Sequence, residues 1–208
     1  MSHSNPPELR SSIGDPAWEI AHLFPKQGEW TESDYFSIES KRPVELSNGV
    51  LEVLPMPTWM HQLVVEFLFD QLRDAVKKGG LDGKVMIAPL PVKLFPGTVR
   101  EPDILYLRSK NVPSHVERYP SKLDLAIEIV SEGKEAQRRD YVTKRRDYEK
   151  AGVQEYWVVD PVIEQITVFL LRGGKLEEVQ RPSEATKRSE LIPHFTLNAS
   201  FFSELRNS

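Results

Sequence analysis

The chain has no cysteine. That excludes disulfides, thiolate zinc sites and a cysteine nucleophile, so any metal must be held by oxygen or imidazole, a donor set that favours magnesium or manganese. Long apolar runs are missing as well. No stretch approaches the roughly 20 residues of a membrane span, and the N-terminus, with Glu8, Asp15 and no apolar segment, does not read as a signal peptide. The expectation is a soluble, cytoplasmic protein without a membrane partner. Positive charge is scarce too: 27 Lys and Arg against 31 Asp and Glu give a formal net charge of −4. A protein that grips nucleic acid through many phosphates usually carries a global basic surplus, so any such grip here must be local.

What is present suits a packed domain. At 208 residues with 39% hydrophobic content, the chain can bury a sizeable core in one domain with elaborations. Residues 1–30, with Pro6, Pro7, Pro16 and Pro25 among polar residues, read as an irregular leader, leaving 31–208 as the domain. Thr31 before Glu32, Ser33 and Asp34 is an N-cap pattern for a short helix toward Ile38. Asn48-Gly49 between Pro43 and Pro55 predicts a hairpin, because a tight type I′ turn needs positive φ at both central residues. Thr58 caps a helix to about Lys78, in which Trp59, Leu63, Val64, Phe67, Leu68, Leu72 and Val76 recur at helical spacing, and Gly79-Gly80 ends it.

Strand-like pieces at Lys84–Ala88, Leu90–Phe95 and Val99–Leu107, with a Pro96-Gly97 turn, suggest a β-meander. The run from Leu123 to Val130, a helix over Ala136–Ala151 ended by Gly152, and a strand over Val153–Asp160 have the length of one βαβ crossover. Ile166–Leu171 and Lys175–Val179 flank Gly173-Gly174 as a second hairpin. The predicted class is therefore α/β, a mixed sheet with flanking helices and hairpins. Trp59, Trp157, Tyr156 and Phe67 sit in core-like patterns and are assigned to packing rather than base stacking.

Candidate chemistry starts from Glu128, a carboxylate inside the apolar run Leu125-Ala126-Ile127-Glu128-Ile129-Val130. Burying an unpaired charge costs roughly several kcal/mol, so such a residue needs a cation, a metal or a raised pKa. Side chains alternate along a strand, placing Glu128 on one face with Ala126 and Val130. Asp103 follows Pro102, which cannot donate to a ladder and belongs at a strand start, bulge or edge. If the two strands pair, both carboxylates converge at one end of the sheet, and Mg²⁺ accepts two carboxylates with waters and a phosphate oxygen. The alternative is structural: Glu128 paired to an arginine such as Arg138, and Asp103 capping a turn.

Phosphodiester hydrolysis also needs a cation to offset charge on the phosphorane. Lys144 is the candidate, with Asp140 one turn before it and Tyr148 one turn after on the same helix face; a surface lysine paired to Asp140 is the other reading. Around it, Lys134, Arg138, Arg139, Lys144, Arg145, Arg146 and Lys150 outnumber Glu135, Asp140, Asp147 and Glu149 by three. That pattern also suits a solvated face laced with i,i+4 pairs.

Taken together, Glu45 with Asn48-Gly49, His61, Pro102-Asp103, Glu128-Ile129-Val130-Ser131, Asp140, Lys144, Tyr148 and the run Gly152-Val153-Gln154-Glu155-Tyr156-Trp157-Val158-Val159-Asp160-Pro161 resemble the Uma-two family of nucleases. That family is similar to the PD-(D/E)xK restriction-endonuclease-like superfamily. The resemblance implies a restriction-endonuclease-like core, DNA as substrate, a homodimer, and metal-dependent cleavage by an Asp, a Glu and a Lys with Mg²⁺ or Mn²⁺. One departure is visible: Val130 stands where the pattern wants lysine two residues after the glutamate, so the resemblance implies that Lys144 on the next helix takes that role. Glu45 corresponds to an accessory glutamate, an extra metal ligand or water positioner, unless it is a solvent-exposed strand residue. His61 is a contact for phosphate or metal, or a residue that merely caps or packs the helix start. The competing functional reading is a catalytically silent nuclease-like binding or regulatory module. A weaker one is hydrolysis of another phosphoester.

Overall fold

The computed structural model describes residues 23–116, 118–179 and 186–207. Most of the expected leader therefore lies outside the described residues, and residues 24–30 run as turns and coil. Helix α1 (Glu32–Ser37) starts at a full capping box, in which the Thr31 side chain accepts from the Asp34 N–H and Asp34 reaches back to the Thr31 N–H. Strands β1 (Val44–Ser47) and β2 (Val50–Val53) form the hairpin, with φ of 49° at Asn48 and 77° at Gly49. Helix α2 (Trp59–Lys78) is capped by Thr58, which accepts from the His61 N–H, and it ends at Gly79 with Lys77 and Lys78 in its last turn, where they complement the helix dipole.

Strands β3 (Lys84–Ile87), β4 (Val92–Phe95), β5 (Thr98–Arg100) and β6 (Ile104–Leu107) come next. They do not form the expected meander. The stretch read as one strand, Val99–Leu107, breaks at Glu101-Pro102-Asp103, and its halves enter different sheets: β5 pairs with β1 and β4, whereas β6 pairs with β3 and with β7 (Leu125–Ile129). Proline lacks the N–H a continuing ladder would need, so the chain changes sheets at that point.

After β7 comes a helical run made of α3 (Lys134–Arg138), a π-helical segment (Arg139–Lys144) and α4 (Arg145–Lys150). The helix thus begins two residues earlier than expected and is not α-helical throughout. It carries the chain to β8 (Glu155–Asp160), which lies parallel to β7, as the βαβ reading requires. Strands β9 (Gln165–Arg172) and β10 (Lys175–Glu178) form the second hairpin; β11 (Thr186–Arg188), β12 (Thr196–Asn198) and α5 (Phe201–Arg206) close the chain.

The result is a six-stranded mixed sheet in the order β10-β9-β8-β7-β6-β3 beside a four-stranded sheet, β2-β1-β5-β4. Every residue of β7 and β8 is buried, as expected for central strands covered on both faces. On one face Ile127, Ile129, Trp157 and Val159 pack against Val64, Leu68 and Leu72 of α2 and against Phe201 and Phe202 of α5. On the other, Ala126, Val130, Tyr156 and Val158 pack with Tyr148 of α4. Three of the four aromatics assigned to packing bear out that reading: Trp157 and Tyr156 are fully buried, and Phe67 stacks on Phe201. Trp59 does not. It stands 78% exposed in the first turn of α2, while Met60 and His61 beside it turn inward.

Candidate active site

Glu128 faces the helical run because it shares a side of β7 with Ala126 and Val130, and it is 2% exposed. Its buried carboxyl group is met by two residues one turn apart. The Lys144 ammonium lies 2.9 Å from Glu128 Oε2, and the Tyr148 hydroxyl donates to Oε1. Arg138, the structural alternative, is exposed on the same run. Nor is Lys144 a surface lysine: at 3% exposure its Nζ also stands 3.0 Å from Glu45 Oε1 and 3.9 Å from Asp140 Oδ1. The π-helical segment holds both Asp140 and Lys144, a wider turn of the kind that recurs at functional sites.

Asp103 arrives from the other strand. Antiparallel pairing of Ile104 with Ile127 sets it next to Glu128, and its Oδ2 accepts the Ile129 N–H at 2.8 Å while facing His61 Nε2 at 3.4 Å. A cavity of about 520 Å³ opens over these groups and is lined by Asp103, Glu128, Asp140, Lys144, Glu101 and His61.

Glu45 and Tyr148 stand behind that lining. Glu45 is fully buried rather than a solvent-exposed strand residue; its Oε1 accepts the Glu101 N–H at 2.9 Å and its Oε2 accepts from Arg100 at 2.8 Å. Arg100 is itself fully buried and binds Asp147 through Nε at 3.0 Å and Nη2 at 2.7 Å, with Nη1 also reaching Glu52. Two interior cations, Lys144 and Arg100, therefore neutralise a carboxylate shell, with Glu45 shared between them.

The shell's electrostatics arise from crowding. Burial pushes Glu128 up to about 8: Lys144 pulls it down, but Asp103, Asp140 and Glu45 add like-charge repulsion. Asp140 rises to about 6 through burial, against the pull of Lys144 and Arg139. Glu45 behaves oppositely. Burial would raise it, yet Lys144, Arg100 and the Glu101 N–H together hold it at about 2. Burial works against the Lys144 ammonium, but Glu128, Glu45, Asp140 and Asp103 outweigh it and keep the side chain charged. His61 is likewise raised, since the Asp103 carboxylate overcomes its burial.

Among the described residues no three His, Asp or Glu side chains form a ready-made metal cage. The carboxylates that line the cavity, Asp103, Glu128, Asp140 and Glu101, are hard oxygen donors, and the repulsion within the acidic shell is of the kind a divalent cation relieves. Mg²⁺ is normally held by one or two carboxylates, completing its octahedron with water and phosphate oxygens, so these residues fit such an ion.

Arg100 and Glu101 have no role in the sequence analysis, and Asp140 enters it only as a pairing partner of Lys144 and among the family residues. Arg100 is a charged residue in a strand, the same signal that drew attention to Glu128. Glu101 immediately precedes Pro102-Asp103, and Asp140 lies one turn before Lys144.

A family model described as "Uma2: Putative restriction endonuclease" matches residues 31–200. The chain belongs to that family. Among solved structures, a protein from Anabaena variabilis ATCC 29413 described as "a putative nuclease belonging to DUF820" is similar with a TM-score of 0.67. The identity is 17%, and the similarity covers 84% of this chain and 98% of that one, a shared fold over nearly the whole relative. No curated protein matches the chain. No helix among the described residues is long and apolar enough to cross a membrane.

Proposed function

We propose that this Uma2 family member is a metal-dependent nuclease, with Asp103 and Glu128 holding Mg²⁺ or Mn²⁺ and Lys144 meeting the scissile phosphate of a DNA substrate. The observation that carries the reading is the 2.9 Å approach of Lys144 Nζ to Glu128 Oε2 in the wall of a cavity that Asp103 also lines. Val130, which occupies the strand position where the superfamily pattern has its lysine, is packed into the core. The helix delivers the ammonium instead.

Hydrolysis forms one P–O bond from water and breaks one ester P–O bond, with a water proton ending on the leaving oxygen. The divalent ion supplies an activated water and neutralises charge at the phosphate. The chain's own residues position and compensate. Tyr148 fixes the Glu128 carboxylate through Oε1, Arg100 fixes Glu45, which in turn holds Lys144 from behind, and the ammonium stabilises the charge that accumulates on the phosphorane oxygens. Lys41, Arg42 and Arg139 line the same cavity and give a local cationic grip in a chain of net negative charge. His61 orients Asp103.

A silent binding module is the second reading, favoured by the fact that both Glu128 oxygens already have protein donors. Single-turnover cleavage of plasmid and oligonucleotide DNA with Mg²⁺ or Mn²⁺ separates the two. The nuclease reading expects products from the parent and none from Glu128→Gln; a parent inert on every substrate, with no metal-dependent rise in melting temperature, leaves the binding module.

A further inference from the structure

The charged side chains at the floor of the cavity are deeply buried, which bears on what can reach them. Glu128, Asp140 and Lys144 are 2%, 1% and 3% exposed, and about 520 Å³ lies within the roughly 300–1,000 Å³ typical of pockets for small ligands. A B-form duplex is a rod much wider than such a cavity, and its phosphates ride on a backbone stiff over about 50 nm. A single strand can bend a phosphodiester into the cavity within a nucleotide or two, provided that something replaces the base stacking it gives up.

The cavity wall offers such a surface. Phe36 and Tyr119 both line it, with ring centroids 4.5 Å apart and planes 18° from parallel. Tyr119 keeps 46% of its surface exposed and, among the described residues, belongs to none of the apolar clusters that build the core. Lys93, paired to Glu32 beside the cavity, has its Nζ 4.8 Å from the centroid of the Phe36 ring, and Lys41, Arg42 and Arg139 add cations to the lining that holds the two rings. Grooves that track unpaired strands combine these two elements, rings for the bases and cations for the backbone.

Resting on the nuclease reading, we infer that the substrate enters as single-stranded nucleic acid, with a base next to the scissile phosphate stacked on Tyr119. Strand preference then comes from the depth of the site, and sequence preference is weak because every base offers a π face.

Fluorescence anisotropy of labelled oligonucleotides with the parent protein in EDTA tests the binding half without requiring turnover. A single strand, supplied as DNA and as RNA, binds at least tenfold more tightly than the matching blunt duplex in at least one of the two sugars. Tyr119→Ala weakens that binding by roughly ten- to a hundredfold, while Tyr119→Phe retains it. Equal or tighter duplex binding, or indifference to Tyr119→Ala, overturns the inference. Cleavage with Mn²⁺ of a duplex bearing an unpaired tail separates this inference from the nuclease reading on which it rests. Products confined to the tail support both, and equal cutting inside blunt duplex overturns the strand preference but keeps the nuclease. Strand-selective binding with no cleavage of any substrate overturns the nuclease and keeps the Tyr119 site.

Discussion

Lys144 and Glu128, sixteen residues apart, meet at 2.9 Å across the boundary between a helix and a central strand. The pair joins the one buried lysine side chain of the cavity to the strand carboxylate, and its geometry sets what each substitution does.

Lys144→Ala is expected to lower the single-turnover cleavage rate by roughly 10²- to 10³-fold, the usual cost of losing one preorganised charge at a transition state. Lys144→Arg restores only part of the rate, because a planar guanidinium does not replace a compact ammonium. The alanine variant also loses stability, by roughly 3–5 kcal/mol at neutral pH, since Glu45, Glu128 and Asp140 lose a shared partner. Rates are therefore compared at a temperature where circular dichroism shows the variant folded. Parent-like cleavage would remove Lys144 from the chemistry.

Metal binding is read from thermal shift. Mn²⁺ raises the parent melting temperature according to RT ln(1 + [L]/Kd), and Asp103→Asn or Glu128→Gln abolishes the rise while keeping side-chain shape. An undiminished shift in both variants would put the ion elsewhere.

In EDTA the stability profile should be dome-shaped in pH. Glu128, at about 8 in the folded protein against 4.5 when unfolded, retains a proton in the native state across that window, so ionising it costs stability as pH climbs from 4.5 through 8. Asp140 adds to the loss between its ordinary 3.8 and about 6. Glu45 acts in the opposite direction: held at about 2 against 4.5, it contributes stability above 4.5 that disappears as pH falls toward 2. Melting curves from pH 3 to 9 should peak in mild acid, and Glu128→Gln should flatten the alkaline limb. A parent profile that is level between pH 5 and 9 contradicts a protonated, buried Glu128.

Arg100→Met is expected to destabilise the fold by at least about 3–5 kcal/mol in urea titrations, because Glu45, Glu52 and Asp147 then share no cation. Arg100→Lys rescues little. One ammonium does not match the fork that serves three carboxylates. Stability within about 0.5 kcal/mol of the parent would mean that these carboxylates are neutral or solvated.

Much of this was legible in sequence where the cause was local. Thr31 and Thr58 cap helices because the next three residues supply the N–H groups their side chains bind, and Asn48-Gly49 makes its turn from two backbone angles. Glu128 stood out as a charge in an apolar strand. What escaped depends on partners distant in the chain. Pro102 marks a break within residues 98–107, but which sheet each half joins is decided by β1 and β7. Helical periodicity counts Trp59 as part of the apolar stripe but does not reveal that its neighbour Met60, not Trp59, packs on the core there. Arg100 and Glu101 became meaningful only when three carboxylates and Tyr35 were folded around them. The π-helical turn holding Asp140 and Lys144 leaves no pattern within so short a span.

The break at Glu101-Pro102-Asp103 also has a mechanical side. Three residues carry the chain from the small sheet to the large one, Glu45 belongs to the first, Glu128 to the second, and Lys144 touches both. Hydrogen-bond contacts fade within about half an ångström of their ideal length, so the ammonium works as a clasp across a crease and registers any parting of the two walls. Any change that lengthens the Lys144–Glu45 contact therefore acts on both walls at once.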